Sequence, residues 1–134
     1  MGRRTKAREC ALQMLYQWER TGEPVEKVAE AFWRVRTTTD ETRALAERLF
    51  TATVRNSEAI DAAIVGTLSN WRFERVADVD KAVLRLGAYE LMHEARTPVA
   101  VVIDEAVELA KRFSEADSPS FVNGVLDALG KKVR

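Results

Sequence analysis

The stretch Val76 to Met92, reading VADVDKAVLRLGAYELM, is apolar on nearly every face once past its opening, and this constrains the fold more than any other feature. On a helix of 3.6 residues per turn, Val79, Ala82, Val83, Leu86 and Leu91 share one side, while Leu84, Ala88, Tyr89 and Met92 cover much of the rest. That is the pattern of a buried helix, which needs neighbours on several sides. Gly87 in its middle costs about 1 kcal/mol relative to alanine, so its presence predicts a close backbone approach by another helix. Asp78 is placed to cap the start, and Pro98 to end the segment.

The flanking sequence supplies those neighbours. Ala7, Cys10, Ala11, Met14, Leu15 and Trp18 form one face of an amphipathic first helix. Gly22 stops it, Pro24 stands near the first position of a second helix, and Val25, Val28, Ala29, Phe32 and Trp33 form the next stripe. Thr37 to Thr39 break that helix, and Thr38 with Glu41 has capping-box spacing for a third, marked by Ala46, Leu49, Phe50, Thr53 and Val54. Asn56 and Ser57 punctuate the chain before a fourth helix carrying Ile60, Ala63, Ile64, Thr67 and Leu68, which ends near Ser69, Asn70 and Trp71. Beyond Pro98, the stripe Val99, Val102, Ile103, Ala106, Val107, Ala110 and Phe113 keeps helical period, so its β-branched opening is not read as a strand. Ser118 as N-cap and Pro119 at the first position open a last helix with Phe121, Val125 and Leu129, stopped by Gly130.

Seven helices and no strand make this an all-α chain, expected as small antiparallel helical bundles in a single domain, with subdomains at about 1–70 and 71–134 sharing one core. At 134 residues, with 46% hydrophobic and 31% charged residues, the chain is large enough to bury a core without staples. A single cysteine allows no internal disulfide, and neither a signal-peptide pattern nor a membrane-length apolar run is present, so a cytoplasmic location is expected.

Net charge is zero, yet Arg3, Arg4, Lys6 and Arg8 all lie before or beside the first acid, Glu9. Cations at a helix N-terminus oppose the macrodipole, so another influence must favour them. Four cations beside free helix N–H groups make a good phosphate site for a nucleic-acid backbone; a solvated basic tail is the commoner alternative for such a run.

Catalysis finds no inventory. Glu90 and His93 have the Glu-x-x-His spacing of di-iron bundles, but that site needs two such pairs and the chain has one histidine. His93 is expected as an ordinary residue at a helix C-terminus, Glu90 as a hydrogen-bonded structural carboxylate, and Cys10 as a small core residue. Asp104, Glu105 and Glu108 read as a solvated face, and no glycine-rich phosphate loop precedes a helix. No metal or cofactor is expected.

Four segments together, ARECALQMLY from Ala7, VDKAVLRLGAYEL from Val79, IDEAVELAKRF from Ile103 and FVNGVLD from Phe121, resemble the bacterial transcription antitermination factor NusB family over almost the whole chain. The resemblance implies an all-helical fold of two small bundles. It also implies a non-enzymatic adaptor that pairs with the small-subunit ribosomal protein NusE, binds single-stranded boxA RNA in ribosomal RNA leaders, and helps RNA polymerase pass terminators. Arg4, Lys6 and Arg8 match the family's arginine-rich segment, with Arg3 an extra contact. Thr5 stands where an arginine is common, which lowers the expected backbone affinity. Asp117, Ser118 and Phe121 match a second RNA region, where an aromatic can stack on a base and helix N–H groups hold a phosphate. On its spacing alone, Phe121 reads as core. Tyr16 and Asp80 match positions that face the protein partner, although Asp80 equally suits a dipole-stabilising role in the first turn of its helix.

Two other readings remain at this stage. The same helical module fronts ribosomal RNA cytosine methyltransferases, but 134 residues leave no room for a methyl-donor domain. The second is a non-catalytic helical scaffold, or an adaptor in ribosomal RNA processing or assembly, whose basic arm is incidental. Monomer and homodimer are both compatible with the sequence.

Overall fold

A computed structural model describes residues 2–69 and 72–134. Its helices are α1 (Arg3–Thr21), α2 (Val25–Arg34), α3 (Asp40–Arg55), α4 (Ser57–Val65), α5 (Asp78–His93), α6 (Val99–Phe113) and α7 (Ser118–Val133), with a 3₁₀ turn at Phe73–Arg75. No strand occurs among the described residues. Asn70 and Trp71 of the junction expected after the fourth helix lie outside them.

The centre is α5, where every residue from Asp80 to Leu91 is buried. It packs against α1, α3, α4, α6 and α7, so one hydrophobic cluster runs from Ala7 through Phe50, Ile60 and Leu84 to Leu129. Each fully buried leucine or isoleucine in it contributes about 1.5 to 3 kcal/mol by removal from water. Gly87 admits a neighbour, as its position suggests, but the neighbour is a side chain. A Cβ there would stand 2.7 Å from Leu126 Cδ1 of α7. The α1 stripe is buried at Ala7, Cys10, Ala11, Met14 and Leu15, and burial extends beyond the stripe to Arg8, Glu9 and Leu12. Because α1 touches both α3 and α5, a single apolar face does not describe it.

Buried charges tie the helices together. Arg85 donates to Glu19 of α1 at 2.6 Å and to Asp61 of α4 at 2.9 Å, and its guanidinium lies 5.4 Å and 5.1 Å from the Trp18 and Phe73 ring centroids. Burial works against the Arg85 charge, but these partners hold its pKa above the usual arginine value. At the other end of α5, Arg134 donates to the carbonyls of Glu90, Leu91, Glu94 and Thr97, so the end of α7 is tied to the last turn of α5 and the chain that follows it.

Several helix ends differ from expectation. Gly22 ends α1 with φ 68°, as its freedom at positive φ allows. The α3 cap is Thr39 rather than Thr38, its hydroxyl accepting from the Thr42 N–H at 3.2 Å. Asp78 makes no capping bond; its carboxylate faces Arg20 of α1 at 3.4 Å, and Ala77 holds the cap position. Helix α5 stops at His93, and Pro98 instead stands at the N-cap of α6. Ser118 is the first residue of α7, with Asp117 before it at the cap. Gly130 does not stop α7, which continues to Val133; its missing side chain leaves room for Val99, whose Cγ1 would lie 3.3 Å from a Cβ there.

Candidate nucleic-acid interface

The basic arm is the first turn of α1. Gly2 holds its cap without a side-chain bond and no acid occupies the turn, so the exposed residues Arg3, Arg4 and Lys6 surround a helix end with unopposed positive polarity. Arg3 is ion-paired to Glu41 of α3 at an exposed site, and Lys6 Nζ lies 3.9 Å from Glu9. The Arg4 charge reaches Glu94, which the Arg48 hydrogen bond, aided by Tyr89, holds below its usual value against the effect of burial.

Arg8 is placed differently from Arg3, Arg4 and Lys6. It is 4% exposed, and its Nε and Nη2 bond both Glu90 oxygens at 2.8 and 2.7 Å while Nη1 reaches Glu105 at 3.2 Å. Burial opposes the charge, but these carboxylates raise the Arg8 pKa. A guanidinium engaged on both edges inside the protein holds α1 against α5 and α6. Glu90 is thereby the structural carboxylate its surroundings suggest. Glu105 is not merely solvated: it also accepts from the Thr5 hydroxyl at 2.7 Å. Thr5 thus supplies a bond from the basic turn of α1 into α6.

The second region is built at the start of α7. Asp117 is exposed, and Phe121 is half-buried, packed against the core. Ser118 is buried and its hydroxyl donates to Asp80 at 2.8 Å, beside a 2.6 Å bond from Ser114 to the same carboxylate. Asp80, 7% exposed, ties the first turn of α5 to the α6–α7 turn, with Ser118, 4% exposed, as one of its two hydroxyl partners. Their period-based positions could not show this, because the bond spans 38 residues.

Tyr16 is partly exposed, with the Arg20 guanidinium 5.5 Å from its ring centroid. It lines a groove of about 500 Å³ between α1, α2 and the ends of α5 and α6, whose walls include Leu12, Phe32, Val35, Val79 and Phe113. Val35, 81% exposed, is the most exposed large hydrophobic residue described. Sequence reasoning missed this α2 wall; an apolar residue past the end of the helical stripe was the available signal. Gln13 Oε1 also lies in the groove wall, buried and without a partner among the described residues. Cys10 is buried in the core, and His93 is exposed at the end of α5, 5.4 Å from the Tyr89 ring. Among the described residues no group of three potential metal ligands occurs.

Residues 5–131 match the NusB family. The chain belongs to the NusB family. A transcription antitermination protein NusB of Sorangium cellulosum is 46% identical over 133 residues, covering 99% of this chain and 95% of that one. Among solved structures, T. maritima NusB superposes with a TM-score of 0.88 at 33% identity, over 98% of this chain and 92% of that one. A crystal structure of the antitermination factors NusB and NusE in complex with dsRNA gives 0.89 at 30% identity, over 98% of each chain. These similarities agree with the all-α, two-bundle NusB fold expected from the sequence. No helix among the described residues is long and apolar enough to cross a membrane.

Proposed function

We propose that this NusB-family chain is an RNA-binding transcription antitermination factor that acts without catalysis. In this reading it pairs with NusE, binds single-stranded boxA RNA in ribosomal RNA leaders, and joins the antitermination complex on RNA polymerase in the cytoplasm. The observation that carries the reading is the exposed Arg3, Arg4 and Lys6 cluster around the open N-terminus of α1, on a fold shared with a NusB that was crystallised with NusE and RNA.

The arm neutralises backbone phosphates, and the α7 start adds a half-buried aromatic for a base together with helix N–H groups. Glu90 and Asp80 lie ten residues apart on α5, so the two regions are separated by about 15 Å along its axis. The Tyr16 groove is the docking surface for NusE. It offers an apolar wall and a partly exposed tyrosine, which suits an anchored segment of a basic ribosomal protein.

The test is binding of labelled single-stranded boxA-type RNA across a salt series, with and without NusE. Three arm cations on a single strand give a log-log slope of about −2. Replacing Arg3 and Arg4 by alanine is expected to flatten it by about 1 to 1.5 while leaving the fold intact. Binding that is absent in every condition, or a mutant equal to wild type, would leave the scaffold reading in its place.

A further inference from the structure

Arg112 lies near the C-terminus of α6, outside both regions considered above, yet it stands between them. Its Nη1 donates to Glu9 Oε2 of α1 at 3.0 Å, and the other Glu9 oxygen lies 3.9 Å from Lys6 of the basic arm. Two residues further along, Ser114 shares a 2.9 Å hydrogen bond with Ser118, the first residue of α7. The contacts therefore run from the arm through Glu9 to Arg112, and on to the turn that presents Asp117 and Phe121.

Around Glu9 two cations share one acid. Glu9 is the single carboxylate holding both Lys6 and Arg112, and its side chain is only 9% exposed, against 47% for Lys6 and 37% for Arg112. The acid is inside and the cations point outward. Arg112 also sits with its guanidinium 5.1 Å from the Phe113 ring centroid, which limits its motion without neutralising it. Arg8, by contrast, is withdrawn into the fold by Glu90 and Glu105.

We propose that Arg112, held in place by Glu9, is a further phosphate-binding residue that carries the RNA backbone from the α1 arm to the start of α7. This rests on the RNA-binding reading above and adds one cation to its count. A single strand that meets Arg3, Arg4, Lys6 and Arg112 has an expected salt slope near −3 instead of −2.

The experiment uses the full chain and labelled single-stranded boxA-type RNA over a salt series. Two variants separate charge from structure. Both Arg112→Gln and Glu9→Gln break the α1–α6 bridge, but only the first removes the cation. Arg112→Gln is expected to flatten the slope by about 0.7 and to weaken binding at low salt about equally for all RNA sequences, with Arg112→Lys restoring the slope. Glu9→Gln is expected to keep or steepen the wild-type slope, because it leaves two cations without their shared acid. Thermal melting checks that both variants fold. If wild type binds and the two bridge variants change the slope alike, or Arg112→Gln leaves it unchanged, Arg112 is a structural bridge and the inference fails. If wild type shows no salt-dependent binding, the proposed function itself fails.

Discussion

Arg8 and Glu90 form a two-point ion pair in the interior, with Nε to Oε2 at 2.8 Å and Nη2 to Oε1 at 2.7 Å, and their side chains are 5% and 4% exposed. The pair joins the first helix to the central one. A buried pair of this kind need not be more stable than apolar residues of the same volume, but removing one member strands the other.

Arg8→Ala is therefore expected to cost about 3 to 5 kcal/mol, read from urea unfolding. Replacing both members, Arg8→Met with Glu90→Leu, recovers much of that loss. Arg4→Ala, at an exposed position, changes stability by less than about 0.5 kcal/mol while weakening RNA binding. Wild-type stability in Arg8→Ala combined with weakened RNA binding would return Arg8 to the RNA surface.

The Gly87 and Leu126 contact yields a coupled pair. Gly87→Ala gains about 1 kcal/mol of helix propensity, but its methyl would stand 2.7 Å from a terminal carbon of Leu126, which is fully buried and has little room to turn. The single mutant is expected to be destabilised by about 1 kcal/mol net. Adding Leu126→Val shortens the intruding side chain, so a double-mutant cycle in denaturant should return a favourable coupling of about 1 kcal/mol. Strict additivity would show that the core relaxes around the methyl instead.

Acid sensitivity follows from Glu94 and Glu19. Glu94 accepts from Arg48 at 3.0 and 3.1 Å and from Tyr89 at 3.0 Å; the Arg48 bond outweighs burial and holds its carboxyl below the usual range. Burial pushes Glu19 upward, but Arg85 and Lys81 bring it below that range as well. The native state thus binds fewer protons than the unfolded chain, and this part of the stability is complete above the ordinary glutamate value of about 4.3 and lost as pH falls through the lower native values. Melting temperature is expected to stay level from pH 7 to 5 and drop below it, with Glu94→Gln lowering the plateau and making the drop shallower. A fall already under way between pH 7 and 5 would assign the titration to another group.

The architecture was legible wherever hydrophobic period decides. Apolar residues on nearly every face of 79 to 92 correctly mark α5 as the central helix, and the stripes of α1, α3, α6 and α7 fall on their buried faces. Caps were less legible. Thr38 and Thr39 offer the same hydroxyl one residue apart, and Asp78 suits a cap as well as it suits the pairing with Arg20 that it makes. In the candidate site the exposed cluster of Arg3, Arg4 and Lys6 was legible, whereas the burial and pairing of Arg8, Asp80 and Ser118 were not. Arg8 is held by Glu90 and Glu105, 82 and 97 residues away, and Asp80 by Ser118, 38 residues away, and helical spacing carries no information on such pairing. Family likeness marks positions of shared residue type without distinguishing a residue that touches the ligand from one that holds the surface in shape.

Tyr16 gives the test of the partner surface. It is the groove residue whose family match points to the protein partner, and unlike Asp80 it is partly exposed. Its ring stands on the helix face opposite the buried stripe's centre and is backed by Arg20, so truncation removes contact area without opening the core. Tyr16→Ala is expected to weaken NusE binding by about tenfold or more, since a tyrosine anchor in a groove typically carries over 1 kcal/mol, with a change in melting temperature of only a few degrees. Val35→Asp, at the exposed end of the same groove, should act in the same direction by placing a charge on its apolar wall. RNA binding by the chain alone should survive both changes, because the arm lies at the opposite end of α1. Calorimetry with NusE and a parallel RNA titration separate the two surfaces: if Tyr16→Ala leaves NusE affinity at the wild-type value, the groove is not where the partner docks, and if it lowers both affinities equally, the two surfaces are not independent.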